Sequence, residues 1–200
     1  MKRVTDILFK TIIALCCTLI IAVVPTEKDA AIYEDTLRLH ILANSDRKED
    51  QELKLRIRDR ILEKYGKELS EACSIDEAQE KTYGLIAQIQ SDVNEWIKDE
   101  GEDYGCEVTL GVEWYDTREY EEFTLPKGYY TSLKVMLGEA EGQNWWCVMY
   151  PPLCLDIACE DAEADDALLG YTNEEYSLIT NSGYNVKFKL LEVLSEAFSK

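Results

Sequence analysis

The stretch Gly142-Gln-Asn-Trp-Trp-Cys-Val-Met-Tyr-Pro-Pro-Leu-Cys154 is the most informative part of this 200-residue chain. Adjacent tryptophans bury large apolar areas, and each indole N–H needs a partner. The two prolines remove two backbone donors, so a central strand cannot continue through them. The segment therefore predicts a short buried strand, Trp145 to Tyr150, that ends at a rigid corner bracketed by Cys147 and Cys154.

Alternation of apolar and polar residues predicts further strands N-terminal to this stretch. The candidates are Thr36–Ala43, Val108–Trp114 and Tyr129–Leu137, with a weaker one at Phe123–Leu125. In the first of them, Leu37, Leu39 and Ile41 share one face, whereas Arg38 and His40 share the other. The glycines of the Gly138–Gly142 link predict that the last two strands form a β-hairpin.

Two helices are predicted between the first and second strands. Asn44-Ser45-Asp46 supplies N-cap chemistry for the first, which we expect to end near Tyr65 with Gly66 as its C-cap. Its inner stripe is Leu53, Ile57, Ile61 and Tyr65. A capping box, Ser74 to Glu77, begins the second helix, which is expected to end near Gly101. Its inner stripe is Ala78, Leu85, Ile86, Ile89, Val93, Trp96 and Ile97.

A closing helix is predicted at 185–198, after an acidic stretch that runs from Asp156 to Asp166. A strand, two helices and then a run of strands indicate an α+β fold. We expect two layers, with a mostly antiparallel sheet and the helices packed on one of its faces.

The N-terminus has the pattern of an export segment. Basic residues at positions 2 and 3 precede an apolar run, Ile12–Val24, that is shorter than a full membrane span. No Ala-x-Ala triplet precedes Pro25, so an uncleaved membrane anchor is the alternative to a signal peptide. The expected organisation is a signal peptide or anchor at 1–26, a linker at 27–35 and a single exported α+β domain at 36–200.

The formal net charge of the chain is −19, and removing the basic N-terminal segment makes it more negative. Such a domain is repelled by nucleic acid and by anionic lipid surfaces. Nucleic-acid binding is therefore excluded, and membrane contact is expected only through the N-terminal segment. Abundant Tyr, Trp, Leu and Ile indicate a folded acidic protein with a hydrophobic core.

Few residues point to catalysis or metal binding. His40 is the single histidine, and Cys147 is the one attractive nucleophile that it could serve, so a cell-envelope hydrolase using this pair is the alternative function. Zinc is disfavoured because no Cys-x-x-Cys occurs. The acidic stretch lacks the residue order of a calcium-binding EF-hand loop, and a solvated loop is expected there. No metal and no cofactor are predicted.

The cysteines outside the N-terminal segment would be exported, where disulfides persist. They number five: Cys73, Cys106, Cys147, Cys154 and Cys159. Cys147 and Cys154 are the best candidates for a disulfide, because the Pro-Pro corner can fold the chain back between them. Two buried thiols that pack as small apolar groups are the alternative.

Two separated motifs resemble the stage II sporulation protein R family. The first is Leu37-Arg-Leu-His-Ile-Leu-Ala-Asn-Ser-Asp46 with its continuation Glu49–Asp59, and the second is the stretch Gly142–Cys154 quoted above. The resemblance implies a signalling protein of endospore formation, made in the forespore and exported to the space between the forespore and mother-cell membranes. There it would activate a membrane-embedded aspartic protease that processes the precursor of a mother-cell sigma factor, sigma E.

The resemblance implies no catalytic residues, in keeping with the sparse chemistry of the chain. The motif residues that we expect to bind the partner are polar or aromatic: Arg38, His40, Asn44, Asp46, Asn144, Trp145 and Trp146. Trp145 and Trp146 are neighbours in a predicted strand, so their side chains should point to opposite faces.

Overall fold

The structure, a computed structural model, describes residues 9–13, 32–120, 123–151, 171–172, 175 and 179–180. The strands and long helices of this part are β1 (Leu37–Leu42), α1 (Lys48–Ser70), α2 (Ile75–Asp99), β2 (Cys106–Tyr115), β3 (Arg118–Glu119), β4 (Thr124–Leu125), β5 (Gly128–Leu137) and β6 (Asn144–Tyr150). The predicted acidic stretch and closing helix lie outside the described residues.

Four strands form one mixed sheet in the order β2-β5-β1-β6. β1 runs parallel to β5, whereas the β1–β6 and β2–β5 pairs are antiparallel. The two short strands β3 and β4 form a separate antiparallel ribbon. The predicted α+β class, with a mostly antiparallel sheet, is confirmed.

The predicted hairpin between β5 and β6 is wrong, because β1 lies between these two strands. The glycine-rich link turns at its start, where the N–H of Ala140 donates to the carbonyl of Leu137 at 3.0 Å, and then crosses the end of β1. It is fastened there by backbone bonds, in which the N–H of Glu141 and Gly142 donate to the carbonyls of Asn44 and Ala43 at 3.1 and 3.0 Å. A short glycine-rich link can join two paired strands or cross the end of a third strand. Here β1 pairs with both β5 and β6, so the link crosses its end.

The hydrophobic core fills the space between the sheet and the helices. Leu37, Leu39 and Ile41 of β1 are fully buried, as the alternation predicts. The α1 stripe is buried in full: Leu53, Ile57, Ile61 and Tyr65. On α2, the buried residues are Ala78, Thr82, Ile89, Val93 and Ile97, while Leu85, Ile86 and Trp96 pack against them from partly exposed positions.

The helix ends show where local signals succeed and fail. The Ser74 hydroxyl accepts a bond from the Glu77 N–H at 3.2 Å, so the predicted cap of α2 is confirmed. The predicted end of α1 at Gly66 is wrong, because the helix continues to Ser70. Leu69 lies beyond Gly66 and is fully buried. Burial of the Leu69 side chain stabilises one further helical turn, and this gain outweighs the cost of placing glycine inside a helix.

Only a fragment of the predicted export segment is described. Residues 9–13 form an exposed helical turn. Among the described residues, none belongs to a helix with the length and apolar character needed to span a bilayer. Export and the division at residues 26 and 35 therefore stay predictions.

The fastening of the link to β1 generates a stability prediction. A Cβ on Gly142 would lie 2.3 Å from the backbone carbonyl oxygen of Ser45, which cannot move without displacing the loop. We expect Gly142→Ala to lower the free energy of unfolding by about 1–3 kcal/mol, the usual range for overpacking. Urea denaturation of the purified domain measures this change.

Gly111→Ala is the matched control for this prediction. A Cβ at Gly111, in the middle of β2, meets nothing within 4 Å. Its unfolding free energy should stay within about 0.5 kcal/mol of the parent or rise slightly, since alanine loses less backbone entropy than glycine. Equal stability of the two variants would contradict the tight fit at Gly142.

Candidate functional site

The two sequence motifs, which are about a hundred residues apart, are neighbours in the fold. β1 carries the first motif and β6 carries the second, and the two strands pair in register. His40 lies opposite Trp146, and Leu42 lies opposite Asn144. The motif residues therefore form one continuous site.

The loop after β1 holds the link that leads into β6. The Asn44 side-chain oxygen accepts the N–H of Glu139 at 3.0 Å, and an Asp46 carboxylate oxygen accepts the N–H of Gln143 at 2.9 Å. From α1, the Lys54 ammonium donates to the carbonyl of Gln143 at 2.9 Å. Three side chains of the first motif thus position the start of the second.

Asp50, in the first turn of α1, holds the loop after β1 in place. It is buried, and its carboxylate accepts bonds from the Ser45 hydroxyl, the Asn44 amide, the Arg47 guanidinium and the Tyr104 hydroxyl. Burial by itself would raise the pKa of Asp50, but these four donors outweigh it and lower the pKa to about 2. The loop is therefore held by an ionised carboxylate with all its donors in place.

His40 organises the sheet face opposite the helices. Its Nδ1 lies 2.9 Å from a Glu113 carboxylate oxygen, and its Nε2 lies 2.9 Å from the Asn144 side-chain oxygen. The imidazole stacks on the Trp146 indole, with ring centroids 5.5 Å apart. These contacts fix the ring on both edges and on one face, and they join β1 to β2 and β6.

The Glu113 carboxylate lies on the same face of the sheet as His40 and is paired with Lys134 there. Its second carboxylate oxygen accepts a bond from the Lys134 ammonium at 2.7 Å. Burial opposes ionisation, but the bonds from Lys134 and His40 prevail and lower the pKa of Glu113. Because one oxygen accepts a bond from Lys134 and the other lies within hydrogen-bond distance of His40, the carboxylate positions both side chains.

Arg38 lies two residues before His40 on β1, and its side chain is fully buried on the same face of the sheet. Its guanidinium carbon lies 3.9 Å from the ring centroid of Tyr115 and 4.9 Å from that of Tyr130. One nitrogen, Nη2, donates to the Tyr120 hydroxyl at 2.9 Å. Nε and Nη1 have no hydrogen-bond partner among the described residues. A buried guanidinium of this kind is stabilised mainly by the faces of aromatic rings rather than by a carboxylate.

Trp145 and Trp146 lie on opposite faces of the sheet. The Arg118 guanidinium carbon lies 3.6 Å from the ring centroid of Trp146, on which the His40 imidazole also stacks. Trp145 packs against the core beside α1, with the Arg58 guanidinium 5.0 Å from its ring centroid. Both indoles are half-buried.

Cys147 does not meet His40. It pairs with Leu39 in the β1–β6 register, which places its side chain on the helix side of the sheet, whereas His40 is on the other side. Cys147 is also disulfide-bonded, so its sulfur is not a thiolate. Its partner lies outside the described residues, as Cys154 does, and the pairing of the two stays a prediction. The Cys147/His40 hydrolase site is thus not assembled in this structure.

The remaining described cysteines are Cys73, at an exposed position, and Cys106, at a partly buried one. Cys73 and Cys106 are free thiols. Burial raises the pKa of Cys106 to about 12, which keeps it protonated at neutral pH. Across the described ranges, no group of three or more His, Cys, Asp or Glu side chains is arranged to hold a metal ion.

The residues predicted to bind a partner differ in accessibility. Asp46 and Asn144 are exposed, and Asn44 is half-buried like the two tryptophans. Arg38 and His40 are buried, so they support the site from within rather than form its outer surface.

Sequence reasoning missed the side chains that surround Arg38 and His40: Glu113, Tyr115, Arg118, Tyr120, Tyr130 and Lys134. The alternation in β2 did carry a signal, because it places Glu113 and Tyr115 on the face opposite Val112 and Trp114.

A sequence model of the family described as stage II sporulation protein R matches residues 33–159. The chain belongs to this family. Stage II sporulation protein R of Bacillus subtilis (strain 168) is 31% identical over 187 residues, which cover 84% of each chain. The matched range of the family contains β1, β6 and every residue of the polar face described above. No solved structure gives a significant match.

The buried Asp50 generates a prediction about acid stability. Its folded pKa, about 2, lies below the ordinary 3.8, so its contribution is fully present above pH 4 and is lost as the pH falls towards 2. That contribution is about 2 kcal/mol. We expect Asp50→Asn to be less stable at pH 7 and to lose less stability between pH 4.5 and 2 than the parent. Urea titrations at a series of pH values measure both effects.

Tyr104→Phe is the graded counterpart, because it removes one of the four donors and leaves the carboxylate. Its acid dependence should fall between those of the parent and Asp50→Asn. If the unfolding free energy of all three proteins fell by the same amount between pH 4.5 and 2, Asp50 would not anchor the loop.

Proposed function

We propose that this chain is an exported signalling protein of sporulation. In the proposal, it passes from the forespore into the space between the two membranes and activates a membrane-embedded aspartic protease of the mother cell. That protease then processes the precursor of sigma E. The protein acts as a ligand of the protease and not as an enzyme.

Family membership carries this proposal. The family match includes both motifs, and the structure joins these motifs into one site around His40 and Trp146. A continuous surface built from two distant motifs suits a protein that is recognised by a receptor. The Cys147/His40 pair that the alternative function needs is not assembled, because the two side chains lie on opposite faces of the sheet.

Two features support export. The N-terminus has a basic start followed by an apolar run, the pattern of a signal peptide or anchor. Cys147 is disulfide-bonded, and disulfides persist mainly in compartments outside the reducing cytoplasm. The uncleaved anchor remains the alternative to a signal peptide.

The export proposal predicts the outcome of a reporter fusion after residue 35. A reporter that is active only in the cytoplasm should give no signal when it follows the native N-terminal segment. The same fusion with Ile20→Lys and Ala22→Lys, which interrupt the apolar run, should give a strong signal. A bright signal from the native fusion would contradict export.

The ligand proposal predicts separable effects of the two tryptophans. Trp145 packs on the helix side, so Trp145→Ala should lower the unfolding free energy by roughly 3 kcal/mol. Trp146 lies on the motif face, so Trp146→Ala should reduce activation of the protease more than its effect on stability explains. Activation is measured as cleavage of the sigma precursor when ligand, protease and precursor are produced together in a non-sporulating host.

His40→Gln is the control for catalysis in that assay. Glutamine retains a donor and an acceptor, so activation should fall only in step with stability. A folded His40→Gln protein that binds the protease but has lost activation by several orders of magnitude would indicate enzymatic chemistry instead. A parent chain that fails to trigger cleavage would refute the proposed function itself.

A further inference from the structure

β2 is an edge strand of the four-stranded sheet, and its outer side faces no other described strand. It is ten residues long, Cys106–Tyr115. Exposed edges of this length are templates for a further strand, and proteins usually protect them.

The first half of this edge is protected. The backbone N–H of Cys106 donates to the Asn94 side-chain oxygen at 2.8 Å, and that of Val108 donates to the Gln90 side-chain oxygen at 3.0 Å. Both acceptors are on α2. These bonds also show that the even-numbered residues of β2 direct their N–H groups away from β5.

The second half is open. Because backbone groups alternate in direction along a strand, Leu110, Val112 and Trp114 direct their N–H and C=O groups to the same outer side. None of these groups has a hydrogen-bond partner among the described residues. The α2 side chains that protect the first half do not extend to this part of the strand.

An apolar patch borders the open half. Val112, Trp114 and Tyr129 are 68%, 53% and 65% exposed. The rings of Trp114 and Tyr129 pack edge to face, with centroids 5.0 Å apart, so the two side chains form one continuous patch. Exposed aromatic residues beside an unpaired edge are an aggregation hazard unless a partner covers them.

We propose that β2 binds an extended, basic segment of the receptor protease, which adds as a fifth strand along Leu110–Trp114. Identifying the receptor as the source of this segment rests on the proposed function. The backbone groups of three alternating residues bind the main chain of the segment, and Val112, Trp114 and Tyr129 contact its apolar side chains. This surface is at the edge of the sheet opposite β6, and it is distinct from the motif site.

Charge identifies the segment as basic and argues against a second copy of this chain. Glu107 and Asp116 lie at the two ends of β2 and are exposed, and the strand has no Lys or Arg. Two copies with net charge −19 repel each other, whereas Lys or Arg residues flanking a partner strand would face these carboxylates.

The decisive test is Val112→Pro, with Val112→Thr as its matched control. Proline removes the outward N–H of Val112 but no bond to β5, because that N–H does not face β5. Threonine keeps the donor, the branched shape and the strand propensity. In the co-production assay, we expect Val112→Pro to lower precursor cleavage at least tenfold and Val112→Thr to stay within about threefold of the parent.

Val112→Lys keeps the proposal testable if proline disturbs folding. The side chain is mostly exposed, so lysine does not burden the core, and its charge should repel a basic strand and lower cleavage as proline does. Normal cleavage by folded Val112→Pro and Val112→Lys, with an active parent, would overturn the docking surface and leave the proposed function standing. A parent dimer in sedimentation that Val112→Lys dissociates would overturn the assignment to a receptor.

A peptide measurement separates this surface from the proposed function. The probe is a synthetic Lys-flanked peptide of alternating valine and threonine, compared with its Glu-flanked counterpart. The Lys-flanked peptide should slow hydrogen exchange at the amides of Leu110, Val112 and Trp114, with little change at Thr109 and Gly111, which already face β5. Absence of this protection, or equal protection by both peptides, would refute recognition of a basic strand.

Discussion

The central position of β1 is the constraint on which the rest of the fold depends. A strand that pairs on both sides, here with β5 and β6, has its backbone bonds satisfied only if the chain returns to it twice. It also presents two faces that must be covered. Leu37, Leu39 and Ile41 are covered by the helices, while Arg38 and His40 have to be covered by something that tolerates charge. The aromatic residues of β2, β5 and β6 meet that second demand.

Aromatic rings meet this demand in part, because Nε and Nη1 of Arg38 have no hydrogen-bond partner among the described residues. The guanidinium of Arg38 packs against two tyrosines, and the imidazole of His40 stacks on Trp146. A buried ion pair would need complete hydrogen bonding of both partners to offset the loss of hydration. Ring faces attract a cation without bringing a second charge into the interior. The half-buried carboxylate beside His40, Glu113, also accepts a bond from Lys134, which balances the local charge.

Local patterns allowed much of the fold to be predicted from the sequence. Leu53, Ile57 and Ile61 revealed the inner face of α1 because helical spacing alone determines which side chains share a face. The order of strands was not accessible in the same way, since the short link before β6 is compatible with a hairpin or with a crossing. The partners of His40 could not be predicted either. Glu113 lies more than seventy residues away in the sequence and comes close to His40 only because β5 pairs with both β1 and β2. Features that depend on pairing between distant strands are thus the ones that a single sequence conceals.

The two edges of the sheet differ in a way that bears on signalling. At the β6 edge, the motif residues are tied to α1 and to the loop after β1, so this side behaves as one rigid unit anchored by Asp50. At the β2 edge, Asn94 and Gln90 occupy the outward amides only as far as Val108. The proposed ligand role would use both properties, a surface held in place by hydrogen bonds and an edge that is open over a short length. Limiting the open part to a few residues would keep the proposed strand addition selective, because a partner would have to match three backbone positions, the adjoining aromatic patch and the surrounding negative charge at once.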